Sequence, residues 1–399
     1  MATRPETSGL IVTGISSRQQ SSCVVCGREA TRAIELPGYP VTEMYEDFDQ
    51  TFETKGLFDQ SLLYCEVCDH GFLGTVLDPG YIYANYLTTS TGSAGAEVCL
   101  KNLHAFMTMH LNISDYGAVI DIGGNDSYLL NLIADSGVQK VNIDPNGTGP
   151  EPVRVERTNV EDLDLEEFRE VQKVIVSSHT IEHVENPDRM IAALAAVMSG
   201  GDVCLLQFPS LEKLVSDFRF DQICHQHLNY FSSRSIRKLL HKHGLVVQSL
   251  EFDTDHFGTL RVLAQKSEAG FAESPVAQPV SLATLQQNWK IYRDYLTALD
   301  QSIDCRVDQC SGFGAGLMVP TLAYSLPAIG KLRYLYDDNP DKQGKRFINL
   351  NVEIRPSSEM TETEIIVLTS ISTKLSARGI LMKLLKENGN DVIVPNLSF

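Results

Sequence analysis

Apolar and polar positions follow one another along this chain in two rhythms, and the change of rhythm marks its elements. Val119-Ile120-Asp121-Ile122 is a mostly β-branched run that closes on Gly123-Gly124-Asn125, and the Leu-rich stretch Tyr128 to Ile133 behind it has helical spacing. The pattern predicts strand, tight turn and helix. Glycine lets the backbone turn sharply and approach a ligand closely, and in a doubly wound sheet that turn lies at the carboxyl ends of the strands, where cofactors bind. A second strand, Lys140 to Ile143, ends at Asp144, about 20 residues on, where a carboxylate can accept hydrogen bonds from a ribose. A third, Lys173 to Val176, opens into the polar loop Ser177 to Asn186 and then an amphipathic helix.

The same rhythm predicts the helices Glu97 to Leu111 and Arg189 to Met198 and the strand Val203 to Phe208. An aromatic and His-rich segment, Phe218 to Phe231, then leads to a helix capped by Ser232 or Ser233. Strands Leu245 to Phe252 and Gly258 to Ala264 finish the sheet, which resembles the seven-stranded kind. An Ala, Ser, Pro and Gln-rich linker follows, then a long helix, Leu282 to Ile303, with Trp289, Tyr292 and Leu296 along one side. A second α/β unit starts at Gln309 to Gly316, with the run Gly312-Phe313-Gly314-Ala315-Gly316, and has strands at Arg333 to Asp338, Glu364 to Leu368 and Asp391 to Val394. Its glycine run fits a second nucleotide site, and equally the tight strand-to-helix turn of any parallel sheet. No G-x-x-x-x-G-K-[ST] is present, so a phosphate-cradling loop is not supported.

Four of the 9 cysteines fall in two C-x-x-C pairs, Cys23/Cys26 and Cys65/Cys68. Two such knuckles bring four thiolates together, enough to close a tetrahedral Zn²⁺ site with no open position for water, in a segment whose own core is thin. A redox pair or four unligated cysteines are the alternatives. The odd cysteine count in a chain of 399 residues favours a reducing, cytoplasmic setting over a disulfide framework. A net charge of -18 argues against a general nucleic-acid binder, which needs a basic face. No apolar run is long enough to cross a bilayer, so no membrane partner is expected. Tyr81, Tyr83 and Tyr86, followed by Leu87 to Ser93, read either as a loop over a ligand or as a packed linker.

Three segments together resemble the class I S-adenosylmethionine (SAM) methyltransferases: Asp121 to Ser127, the strand ending at Asp144, and the loop Glu182-His183-Val184-Glu185-Asn186-Pro187. Longer motifs resemble the C-methyltransferases of nucleotide-linked keto-deoxysugars. That family shows E-I-G-S-N-D-G where this chain has Asp121 to Ser127, and F-D-x-I-Y-H-E-H-L-S-Y-F where it has Phe220 to Phe231. It shows H-G-G-S-L-R-V at His256 to Val262 and D-D-N-P-x-K-Q-G at Asp337 to Gly344. The chain departs at Cys224, Gln226 and Ser127, and has Gly316-Leu317-Met318 where relatives often carry Ala-Lys-Gly.

The resemblance implies an α/β protein in successive units. These are a tail over 1–18, a zinc-binding domain over 19–80, a Rossmann-like SAM methyltransferase domain over 81–268, a linker and helix over 269–304, and a Rossmann-like substrate domain over 305–399. It places SAM over Gly123 and Gly124, in the turn that holds Asp121 and Asn125, with Asp144 on its ribose and the loop carrying His179 and Glu182 beside it. It implies Zn²⁺ on the four cysteines. The substrate's nucleotide is expected near Lys342, Lys345 or Arg346.

The reaction so implied is methyl transfer to the carbon next to a sugar ketone, after a base removes the α-proton and a polar group steadies the enolate oxygen. Histidine suits that base near neutrality. His227 matches the last histidine of Y-H-E-H and is the first candidate, with His225 second and Asn229 or Tyr230 on the substrate oxygen. With neutral Gln226 beside it, His227 is expected to act near pH 7. Two structural histidines are the alternative, and the rival functions are O-methylation of a sugar or other small molecule and a non-catalytic binding protein of methyltransferase descent.

Overall fold

The computed structural model describes residues 15–82, 89–134, 137–253, 255–256, 258–266, 278–370, 374–387 and 389–395. Most of the expected tail, Tyr83, Tyr86, Leu87, Thr88, Phe257 and the linker up to residue 277 lie outside them.

The middle of the chain folds into a seven-stranded sheet. Its spatial order is Leu245–Asp253, Thr259–Lys266, Val203–Pro209, Lys173–Ser178, Ala118–Ile122, Gln139–Ile143, Arg154–Glu156. The strands are parallel except Thr259–Lys266, which is antiparallel to both neighbours. Ala118–Ile122 is buried at every position, as a strand covered on both faces must be. Because successive side chains point to opposite faces, Ile120, Ile122 and Ile175 join one core while Val119, Val174 and Val176 join another. The helix Ala94–His110 seals the second core with Leu103, Phe106 and Met107. At the amino end of the sheet the Lys173 ammonium is buried against Asp202 at 2.6 Å.

A four-stranded antiparallel sheet precedes it in the chain, ordered Asn229–Phe231, His70–Leu73, Leu57–Cys65, Thr31–Pro40. Its edge strand is Asn229–Phe231, more than a hundred residues distant in sequence. Alternation again explains how one short strand serves two cores: Tyr230 enters the core of the N-terminal sheet and Phe231 that of the central sheet. The consequence is positional. The loop before Asn229, which carries His225 and His227, is pinned where the two sheets meet.

The long helix Leu282–Asp304 is capped by Ser281 and buries Leu285, Tyr292, Leu296 and Ile303 in a core shared with Ile34, Tyr39 and Leu62 of the N-terminal sheet. The C-terminal sheet is parallel and five-stranded, ordered Ile354–Arg355, Leu335–Tyr336, Cys310–Phe313, Ile365–Leu368, Asp391–Ile393. A further strand, Lys345–Phe347, pairs with Tyr45–Asp47 and ties the two ends of the chain together. Among the described residues no helix is long and apolar enough to cross a membrane.

Candidate functional site

At the carboxyl end of Ala118–Ile122 the backbone turns left-handed at Gly123, Asn125 and Ser127. A Cβ on Gly123 would lie 2.0 Å from the Thr180 hydroxyl, so the glycine lets the two loops of the site close on each other. Asp144 holds the turn: its Oδ2 accepts from the Asn125 amide at 3.1 Å and its Oδ1 from the Asn146 amide at 2.7 Å. Buried Asn142 reinforces it, its Nδ2 donating to the Asn125 carbonyl and to the Ser127 hydroxyl. The short loop after Asp144 folds back so that the Thr148 amide donates to the Asn125 carbonyl. A cavity of about 480 Å³, lined by Thr148, Gly149 and 151–155 with Arg157, holds none of the candidate cofactor residues.

Three acidic oxygens around this edge are buried without a hydrogen-bond partner: Asp121 Oδ1, Asp126 Oδ1 and Glu182 Oε2. Burial, with the nearby charge of Asp144, pushes the Asp121 carboxyl up to about 7. A buried carboxylate without a partner calls for a cation or a donor. SAM carries both an ammonium and a sulfonium, so the donor set of this edge fits it.

Beside the turn, Glu182, His183 and His227 bring one ligand atom each within 4.8 Å of one another. The His183 and His227 rings meet edge to face at 5.0 Å between centroids. His183 Nδ1–H donates to the Gln226 carbonyl at 2.8 Å, which fixes its tautomer and aims the ring. Burial would raise the Glu182 carboxyl, but the hydrogen bond from His179 and the charges of His183, His179 and His227 outweigh it and hold the group below the usual carboxylate range. His227 departs from the sequence expectation. Burial, aided by the charge of His183 and opposed by Glu182, pushes it down to about 3, so it is neutral at pH 7 but weakly basic at rest.

The other catalytic candidates are occupied. His225 is fully buried, accepting from Gln60 Nε2 on Nδ1 at 3.1 Å and donating from Nε2 to the Tyr39 carbonyl at 3.1 Å. With both ring nitrogens used, and burial pushing it down to about 4, it is a joint between the His-rich loop and the N-terminal sheet rather than a base. Tyr230 points into the N-terminal core and accepts from the Cys224 amide, while Asn229 Nδ2 donates to the Val184 carbonyl. The Tyr230 ring meets His227 edge to face at 6.5 Å between centroids, but its hydroxyl and the Asn229 amide are taken up by backbone groups rather than held for a substrate oxygen. Gln226 is likewise held, by the Thr42 hydroxyl and carbonyl.

His179 and Glu182 were expected to border the cofactor; their side chains bind each other at 3.1 Å between Nδ1 and Oε1. The other His179 nitrogen, Nε2, faces Cys99 Sγ at 3.5 Å. Burial opposes the His179 charge, but Cys99 and Glu182 outweigh it and push the group up to about 10. Sequence reasoning passed over His183, although it stands in the Glu182-His183-Val184 motif; it also missed Asn142, whose signal was a polar residue inside an apolar strand.

The sulfurs of Cys23, Cys26, Cys65 and Cys68 lie within 4.8 Å of one another, with Cys26 and Cys65 at 3.7 Å. A tetrahedral zinc with Zn–S bonds of 2.3 Å spaces its sulfurs by about 3.8 Å, so the donor set fits Zn²⁺. No disulfide joins them. His70 packs between Phe72 and Phe231, outside the set.

In the C-terminal unit the glycine run serves packing. A Cβ on Gly314 or Gly316 would lie 2.4 Å or 2.2 Å from the Ser370 side chain. The basic residues expected to meet a nucleotide are mostly engaged: Arg346 is buried on Glu46, the Phe48 and Gln50 carbonyls and the Phe52 ring, and Lys342 donates to the Ala315 carbonyl at 2.9 Å.

Comparison with known proteins bears on the central sheet. Residues 95–250 match a family described as a methyltransferase domain. The C-methyltransferase NovU of Streptomyces niveus is 21% identical over 269 residues, which cover 65% of this chain and 64% of NovU. Among solved structures, magnesium protoporphyrin IX methyltransferase from Synechocystis with bound SAH is 15% identical, covering 43% of this chain and 84% of that one with a TM-score of 0.34. The 1,6-didemethyltoxoflavin-N1-methyltransferase of Burkholderia thailandensis is 14% identical, covering 45% and 80% with a TM-score of 0.34. The glycine turn and the paired acids of the seven-stranded sheet fall within the segment that matches the methyltransferase domain.

Proposed function

We propose that this protein transfers a methyl group from SAM to the carbon next to the ketone of a nucleotide-linked keto-deoxysugar, with His227 as the base. The observation that carries it is the convergence of Glu182, His183 and His227 beside a methyltransferase turn, where a proton must be removed before a carbon can accept a methyl group. Asp121, Gly123, Gly124, Asn125 and Asp144 hold the cofactor, which supplies an electrophilic methyl group and positive charge. Structural Zn²⁺ on the four cysteines steadies the N-terminal sheet, to which the His-rich loop is anchored. The chain acts in the cytoplasm.

The residues divide the proton's path between them. Neutral His227 offers a ring lone pair to the α-proton of the sugar. Its burial makes the imidazolium costly, and Glu182, with one unpartnered oxygen, supplies the counter-charge when the proton arrives. His183, fixed by its bond to Gln226, stands against the His227 ring and orients it. NovU, named as a C-methyltransferase, lends support to carbon as the acceptor.

Incubation with SAM and a panel of nucleotide-linked keto and hydroxy sugars, read by mass spectrometry and product NMR, tests it. A new C–CH₃ group on a keto sugar is expected. Methylation of oxygen alone, on any member of the panel, would overturn carbon transfer.

A further inference from the structure

A second cluster of metal-binding side chains lies next to the base but is not part of it. Cys99, His179 and His256 offer one ligand atom each, all within 4.8 Å of one another. They come from three separate elements: the helix Ala94–His110, the end of Lys173–Ser178, and the turn between the last two strands of the central sheet. We propose that Cys99, His179 and His256 form a mononuclear transition-metal site of the zinc class, distinct from the four-cysteine site.

Both imidazoles are held as metal ligands usually are, with the second nitrogen bonded to an oxygen. His179 Nδ1–H donates to the Glu182 carboxylate, which leaves Nε2, 3.5 Å from Cys99 Sγ, as the nitrogen that gives up its proton when a metal binds. A tetrahedral zinc with the usual Zn–S and Zn–N bonds sets sulfur and nitrogen about 3.5 Å apart. His256 Nδ1 lies 3.2 Å from the Thr259 hydroxyl, whose own proton goes to the His256 carbonyl. The hydroxyl oxygen therefore accepts from Nδ1–H, which leaves Nε2 as the nitrogen His256 would offer a metal.

The sulfur is treated as an acceptor. Gln207 Nε2 donates to Cys99 Sγ at 3.2 Å and to the Ser178 hydroxyl at 2.9 Å. Its amide cannot flip without loss, because Arg261 Nε–H donates to Gln207 Oε1 at 3.1 Å. Two arginines whose charge faces His256 are themselves answered, Arg261 by Asp253 and Glu251 and Arg219 by Asp221. Cys99 and His256 are buried, while the His179 side chain keeps 28% of its surface exposed. Three protein ligands with one side open leave a fourth position for water or a substrate oxygen, the plan of a catalytic rather than a closed structural site.

Metal content of the full-length protein, stripped with chelator and reloaded with Zn²⁺, tests this directly. Two equivalents are expected in the parent and one in both Cys99→Ser and His256→Gln, with thermal melting monitoring the fold. Thr259→Val, which loses only the partner of His256, is expected to weaken the second equivalent by about 10–100-fold. Co²⁺ reloading of the unaltered protein gives a second readout that needs no variant: after the four-sulfur site fills, further cobalt should add tetrahedral d–d bands with a single thiolate charge-transfer band. One equivalent in the parent, a second equivalent that survives both substitutions, or rapid alkylation of Cys99 in the metal-loaded protein, as for a thiolate–imidazolium pair, would overturn it.

Discussion

The central and C-terminal sheets solve the same local problem with the same parts, and differ in what they leave unanswered. In each, an acid at the end of the second strand accepts a backbone N–H from the turn after the first: Asp144 from Asn125 at 3.1 Å, Asp337 from Ala315 at 2.8 Å. In each, glycines let that turn press against a neighbouring loop. Around the central turn three buried acidic oxygens keep no partner. Around the C-terminal turn, Ser370 fills the space beside Gly314 and Gly316, and Lys342 takes the Ala315 carbonyl. A glycine turn and an acid are therefore requirements of the fold. The unsatisfied charge is what marks a binding site.

The largest effect expected from breaking the comparison is on the central side alone. His227→Ala should lower methyl transfer by about 10²–10⁴-fold, the usual contribution of a positioned base, while leaving SAM affinity intact. Steady-state rates and calorimetry on one preparation check both halves. Next come the paired acids. Asp144→Ala removes hydrogen bonds to a charged acceptor, about 1.5–3 kcal/mol, so SAM affinity should fall roughly tenfold or more. Asp337→Ala should lower the melting temperature and leave that affinity unchanged; an equal loss in both would erase the distinction between the sheets.

A pH series sharpens it further. Asp121, pushed up from 3.8 to about 7, holds its proton more tightly folded than unfolded, so without cofactor stability declines as pH rises from about 4 through 7. A bound cation favours the ionised form. SAM affinity should then rise with pH up to about 7, changing at most about tenfold per unit, with a proton released on binding below that point. Calorimetry in buffers of different ionisation enthalpy measures the proton, and Asp121→Asn should flatten the profile. The smallest effect is structural: Gly314→Ala, at φ 97° and against Ser370, should cost about 1–3 kcal/mol of stability with no change in SAM binding. Denaturant unfolding beside a cofactor titration reads both.

Much of the central sheet was legible because its strands are continuous apolar runs closed by Gly, Asp or Pro, and burial on both faces imposes that composition. The cysteine knuckles and the glycine turn were legible for the same reason: local chemistry fixes them. What escaped was set by distance. Asn229–Phe231 is three residues long and carries no sign that it completes a sheet begun at Thr31. Choosing between His225 and His227 depended on Gln60 and Tyr39, which only the N-terminal sheet brings to His225. Cys99, His179 and His256 meet from far-apart elements, so no spacing rule joins them. The basicity of His227 was misjudged because burial and His183, rather than its neighbour Gln226, decide it.

The central claim, that His227 removes the α-proton of a keto sugar, is tested most directly without methyl transfer. Wild type and His227→Ala are incubated in D₂O with a nucleotide-linked keto-deoxysugar and S-adenosylhomocysteine, and deuterium at the α-carbon is followed by NMR. Exchange by the wild type and none above background by the variant is the expected result. Exchange by the variant at the parental rate would contradict the account and move the base to another residue.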